Sequence, residues 1–129
     1  MRIEVAMLPP SELSPNARCH WVERYRASQD FHNAVYYSCF DAARNPYLTP
    51  VSPIDPYKKA RLNLTFVFPQ GRRRDKDNLV SMFKPGLDAL VKIGLLRDDD
   101  SEHLTIGEVK VEVDKERAPL TIIELEEAT

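Results

Sequence analysis

Polar and apolar residues alternate from Arg2 to Leu8, with Ile3, Val5 and Met7 on one face. That period of two predicts a strand, which Pro9-Pro10 stops. Ser11 to His20 reads as a polar, extended loop. From Trp21 to Arg44 the period changes: Trp21, Tyr25, Phe31, Val35, Cys39 and Ala42 recur at helical spacing and predict a long helix with one buried stripe. Pro46, Pro50, Pro53 and Pro56 then forbid regular structure and predict a connector. Lys58 to Phe68 alternates again, with Leu62, Leu64, Phe66 and Phe68 inward, and Pro69-Gln70-Gly71 ends it. Asp77 to Ile93 predicts a second helix through Leu79, Met82, Phe83, Leu87, Leu90 and Val91. Pro85 lies inside it and predicts a kink or a short break, and Gly94 a stop. Leu104 to Val113 and Pro119 to Glu126 read as two strands joined by the charged turn Asp114 to Arg117. The order β-α-β-α-β-β predicts an α+β fold, a mixed sheet of about four strands packed on two main helices.

The chain has 129 residues and a mass of 14.8 kDa. That length suits a single domain, 1–129, able to bury a core without disulfides or metals. Two cysteines, Cys19 and Cys39, are too few for a disulfide scaffold and point to a reduced, cytoplasmic setting. The start lacks the pattern of a secretory signal, and no apolar run approaches the roughly 20 residues that span a bilayer, so no membrane partner is expected. Charge is divided unevenly. Met1 to Arg74 carries 11 Lys and Arg against 6 Asp and Glu, a net +5; Asp75 to Thr129 carries 7 against 14, a net −7. A basic surface for a polyanion beside an acidic pocket for cations has that signature, and so does a chance division of solvated charges.

The chemistry concentrates where those halves meet, in Arg72-Arg73-Arg74-Asp75-Lys76-Asp77-Asn78-Leu79, and again in Asp98-Asp99-Asp100. Asp75 and Asp77 stand at a strand-to-helix junction, where alternate residues of an extended segment point the same way. At about 100° per residue, Asp77, Ser81, Lys84 and Asp88 fall within roughly 60° of one another on the following helix. After Gly94, the Asp98–Asp100 run can return toward Asp75. Two carboxylates about 5 Å apart repel by roughly 3 kcal/mol at an effective dielectric near 20. Several converging acids therefore call for a cation, and Mg²⁺ (with Mn²⁺ as a possible substitute) suits hard carboxylate oxygens and phosphodiester hydrolysis. Lys84 can stabilise charge on the phosphate, and Arg72, Arg73 and Arg74 can hold the DNA backbone. The same acids also fit a plainer role, with Asp75 or Asp77 capping a helix and Asp98–Asp100 forming a solvated turn.

At these residues the sequence resembles the RusA family of Holliday junction resolvases. The resemblance lies in Arg72 to Leu79, Leu87-Asp88-Ala89-Leu90, and Gly94-Leu95-Leu96-Arg97-Asp98-Asp99; the opening Pro9, Pro10, Ser14, Pro15, Asn16 loop before a long helix fits as well. It implies a homodimer that nicks four-way junctions and other branched DNA in recombination and repair, leaving 5′-phosphate and 3′-hydroxyl ends. The metal-binding aspartates it implies are Asp75, Asp77 and Asp99, with Asp98 the neighbour of Asp99 and Asp88 an additional acid. The family also uses a lysine one turn after D-x-D. Here that position is Ser81, and Lys84, seven residues after Asp77, is the nearest lysine. Two further readings are a branched-DNA-binding protein of the same fold without activity, and a protein–protein adaptor using the acidic half.

Other residues add less. His20, His32 and His103 with Cys19 and Cys39 match no zinc spacing. Trp21, Tyr25 and Phe31 read as core rather than as base-stacking residues. Arg18, Arg24, Lys58 and Lys59 are candidate phosphate contacts. No small-molecule cofactor motif is present.

Overall fold

The alternation over Leu62, Leu64 and Phe66 is realised in a central strand, β2 (Ala60–Phe68), whose even-numbered residues turn into the core. The structure, a computed structural model, describes residues 1–44 and 57–128, without the side chains of Ala43 and Arg44. The predicted proline-rich connector with Pro46, Pro50, Pro53 and Pro56 lies outside the described residues. Around β2 the elements run β1 (Arg2–Val5), a 3-10 turn at Ser11–Leu13, α1 (Trp21–Arg44), β2, α2 (Lys76–Met82), α3 (Lys84–Lys92), β3 (Leu104–Val113) and β4 (Leu120–Glu127). The fold is α+β: four strands in the order β1-β4-β2-β3 form a mixed sheet. β4 runs antiparallel to both β1 and β2, while β2 and β3 are parallel and joined by the crossover through α2 and α3.

Where strands end has local causes. β1 stops at Val5 rather than continuing to Leu8. Val5 pairs with Thr121, and the residues beyond would pair toward Pro119, which has no N–H to give. The Thr121 hydroxyl instead donates to the Met7 carbonyl at 2.8 Å. The parallel ladder shifts register between Leu62 and Leu64, a bulge closed by the Glu108 N–H donating to Asn63 Oδ1 at 2.8 Å.

Helices cover one face of the sheet. Ala27, Phe31, Val35, Cys39 and Ala42 of α1 are buried and form its inward stripe. Trp21 and Tyr25 do not join it, contrary to the periodicity reading: they are 72% and 59% exposed. Tyr25 lies about 120° around the helix from Phe31 at ~100° per residue. Trp21 stands on the first turn, ahead of Ala27, the first buried residue of the helix. Phe31 meets Phe83 edge-on, with ring centroids 5.7 Å apart at 74°.

The second predicted helix is two. Phe83 closes α2 and opens α3, with its N–H on the Leu79 carbonyl at 3.1 Å and its own carbonyl accepting from the Gly86 N–H at 2.7 Å. Pro85 explains the break: it has no N–H to give Ser81, and its ring would strike that carbonyl in a continuous helix. In the first turn of α3 its missing N–H costs nothing. Gly94 ends α3 in the left-handed region, at φ 92°, where a side chain would be strained.

Candidate functional site

Asp75 is the N-cap of α2. Its backbone is extended (φ −92°, ψ 116°) and its Oδ1 accepts from the Asp77 N–H at 2.9 Å. An acid there satisfies an orphan donor and complements the helix dipole. Asp77 follows in the first turn. Both are exposed, and neither makes an ion pair among the described residues. They border a hollow of about 690 Å³ shared with Arg73, Arg74, Lys76 and Asn78. Arg74 lies over the Phe68 ring, 3.6 Å from its centroid, and donates to the Arg72 carbonyl at 3.0 Å. Partial burial there, with Arg72 close by, lowers the Arg74 pKa. Arg72 and Arg73 remain exposed.

The break at Phe83 sets the second cluster. Lys84 begins α3 and its Nζ donates to Asp88 Oδ1, one turn on, at 3.2 Å. The same ammonium forms a hydrogen bond and ion pair with Asp99 Oδ2. The bond to Asp99 first, and Asp88 with it, holds the Lys84 pKa above its ordinary value. In turn, the Lys84 bond holds the Asp99 carboxyl below the usual carboxylate range.

Three consecutive aspartates have three different partners. Asp98 Oδ1 accepts from the Asp99 N–H at 2.7 Å. Asp99 takes Lys84. Asp100 Oδ1 accepts from the N–H groups of Glu102 and His103, both at 3.0 Å, and meets His103 Nδ1 at 2.7 Å. The His103 ring is the leading cause of a lowered Asp100 pKa. The role of His103 was missed in the sequence, although its i,i+3 spacing from Asp100 could have signalled it.

The predicted site residues thus fall into groups. Asp75, Asp77 and Arg72–Arg74 gather at the head of α2; Lys84, Asp88 and Asp99 gather at the head of α3. Among the described residues no three His, Cys, Asp or Glu side chains form a group that could hold a metal ion. The donor chemistry still suits a hard divalent cation, since Asp75, Asp77 and Asp99 offer only carboxylate oxygens. Lys58 and Lys59 lie elsewhere. They precede β2, whereas the arginines follow it, and nine residues of strand span about 30 Å at ~3.3 Å each. There they line a cleft of about 480 Å³ with Arg97 and His103. Arg18 is exposed in the loop before α1, and Arg24 donates to the Ser14 and Ala17 carbonyls of that loop at 3.3 and 3.4 Å. No described helix is long and apolar enough to cross a membrane. The chain matches no protein-family model, and no match is found among curated proteins.

Proposed function

We propose that this protein is a RusA-like, Mg²⁺-dependent endodeoxyribonuclease that nicks branched DNA, four-way junctions above all, as a cytoplasmic homodimer. The observation that carries the reading is the meeting of Lys84 with Asp99. These residues are fifteen apart in the chain; the family resemblance implies Asp99 as a metal ligand and a lysine on the helix after D-x-D, the role for which Lys84 is the nearest candidate. The lysine three residues beyond the family position is therefore still joined to the distal aspartate.

The chain's own residues divide the work. Arg72 and Arg73, exposed beside Asp75, hold backbone phosphates. The family resemblance would give Mg²⁺ to Asp75, Asp77 and Asp99, which stand in two clusters in this fold, the first two at the head of α2 and the third beside Lys84 at the head of α3. When bound, the ion supplies Lewis acidity and activates water for attack on phosphorus. Lys84 pairs with Asp99 and Asp88 in the resting site and offers the same ammonium to a phosphate oxygen as charge develops there. A two-fold dimer matches the symmetry of a four-way junction, giving paired nicks. The second reading, a junction-binding protein that does not cut, draws support from Asp75 serving as the N-cap of α2, its carboxylate bonded to the Asp77 N–H.

A synthetic four-way junction incubated with Mg²⁺ or with EDTA separates them. The nuclease gives paired nicks only with metal, and Asp75→Asn or Asp77→Asn binds the junction without cutting it. Cutting at the parental rate by either variant removes the catalytic assignment. A band shift without nicks under both conditions favours the non-cutting binder. Equal affinity for junction and duplex removes branched DNA as the substrate.

A further inference from the structure

Trp21 is the most exposed large hydrophobic residue among the described residues, and Tyr25, one turn along α1, is also exposed. Residues four apart share a helix face, so both rings lie on one side of α1. They line one side of a cleft of roughly 380 Å³ whose other side carries Ser81, Lys84 and Asp88. The His20 ring flanks Trp21, with centroids 5.7 Å apart. Neither aromatic is part of the buried stripe of α1, which begins at Ala27, so the fold does not account for them. The cleft is continuous with the candidate site, because Lys84 lines it and also holds Asp99.

We propose that Trp21 and Tyr25 form a stacking platform for an unpaired DNA base next to Lys84. The inference rests on the nucleic-acid reading above and specifies the substrate: a strand with an unstacked nucleotide at the cut, as a branch point provides. A base has the flat π-face that such rings accept without regard to sequence. Its polar edge finds hydroxyl and carboxylate partners in Ser81 and Asp88. Its flanking phosphate finds the Lys84 ammonium. Arg24, bonded to the Ser14 and Ala17 carbonyls, ties the preceding loop to the same turns of α1 and so positions the platform.

Trp21 is the sole tryptophan, so its emission reports on this cleft alone. The test titrates the full chain in EDTA, where no cutting occurs, with a short single-stranded oligonucleotide, with an abasic strand of equal length and with a four-way junction. Gel shifts are run in parallel. The base-bearing strand should quench Trp21 emission and the abasic strand should not. Tyr25→Ala and Trp21→Ala, at exposed positions, should keep the parental circular dichroism and weaken single-strand affinity by about 5- to 150-fold, the range of one lost stacking partner. Equal quenching by the abasic strand, unchanged affinity of both variants, or a junction shift with no change in emission would overturn the platform and leave the nuclease reading standing. If no DNA of any kind shifts, the nucleic-acid reading fails and the platform with it.

Discussion

Lys84 and Asp99 are bonded side chain to side chain although fifteen residues separate them, and the bond closes the loop after α3 back onto the first turn of that helix. The Asp99 side chain retains 22% of its accessibility and that of Lys84 57%, so solvent screens the pair. Its value is therefore chiefly positional: it holds a cation and a carboxylate side by side.

Removing the cation tests that view. Lys84→Met should lower unfolding free energy by less than about 1 kcal/mol, as for other partly exposed pairs. The same change should slow junction cleavage by about 10²- to 10³-fold, the usual cost of losing one charge-stabilising donor. Urea unfolding and single-turnover cleavage measure the two. A large stability loss with unchanged cleavage would make the lysine structural.

On the proposed reading Asp75 carries two roles, cap and metal ligand, that substitution can separate. Asn caps a helix about as well as Asp, so Asp75→Asn should retain thermal stability while cleavage is lost. Asp75→Ala should also lose the bond to the Asp77 N–H and cost about 0.5–2 kcal/mol. Thermal melts of both variants, compared with their cleavage rates, check the separation.

Gly86 is needed for space. A Cβ there would come within 2.7 Å of the buried Phe83 ring, which cannot swing away because it rests edge-on against Phe31. Alanine favours a helix by about 1 kcal/mol over glycine, but overpacking costs about 1–3 kcal/mol. Gly86→Ala should therefore lower the urea midpoint, and adding Phe83→Leu should recover part of the loss. A midpoint that rises would show that the ring yields.

Burial pushes the Cys39 thiol up to about 12 from an ordinary 9.0. The folded protein thus keeps a proton that the unfolded chain releases, and stability falls as pH rises from about 9 to 12. Cys39→Ala should flatten that alkaline slope. In native protein at pH 8 a disulfide reagent should modify Cys19, which is partly exposed, well before Cys39. Equal rates would mean that α1 opens readily.

Element types were legible because hydrophobic period is a local property. Leu62, Leu64 and Phe66 alternate whatever lies above them, and Pro85 breaks a helix through its own ring and missing N–H. The D-x-D and D-D-D runs were visible for the same reason, as was a helix cap at Asp75 or Asp77, which the structure gives to Asp75. Strand order, the choice of partner for each of Asp98, Asp99 and Asp100, and the exposure of Trp21 and Tyr25 were not visible. They depend on which surfaces distant segments present to one another. Apolar spacing says that a side chain can be buried, and only the packed neighbour decides whether it is. Likewise the chain shows a lysine and three acids, but the break at Phe83 and the turn at Gly94 set which of those acids the ammonium reaches.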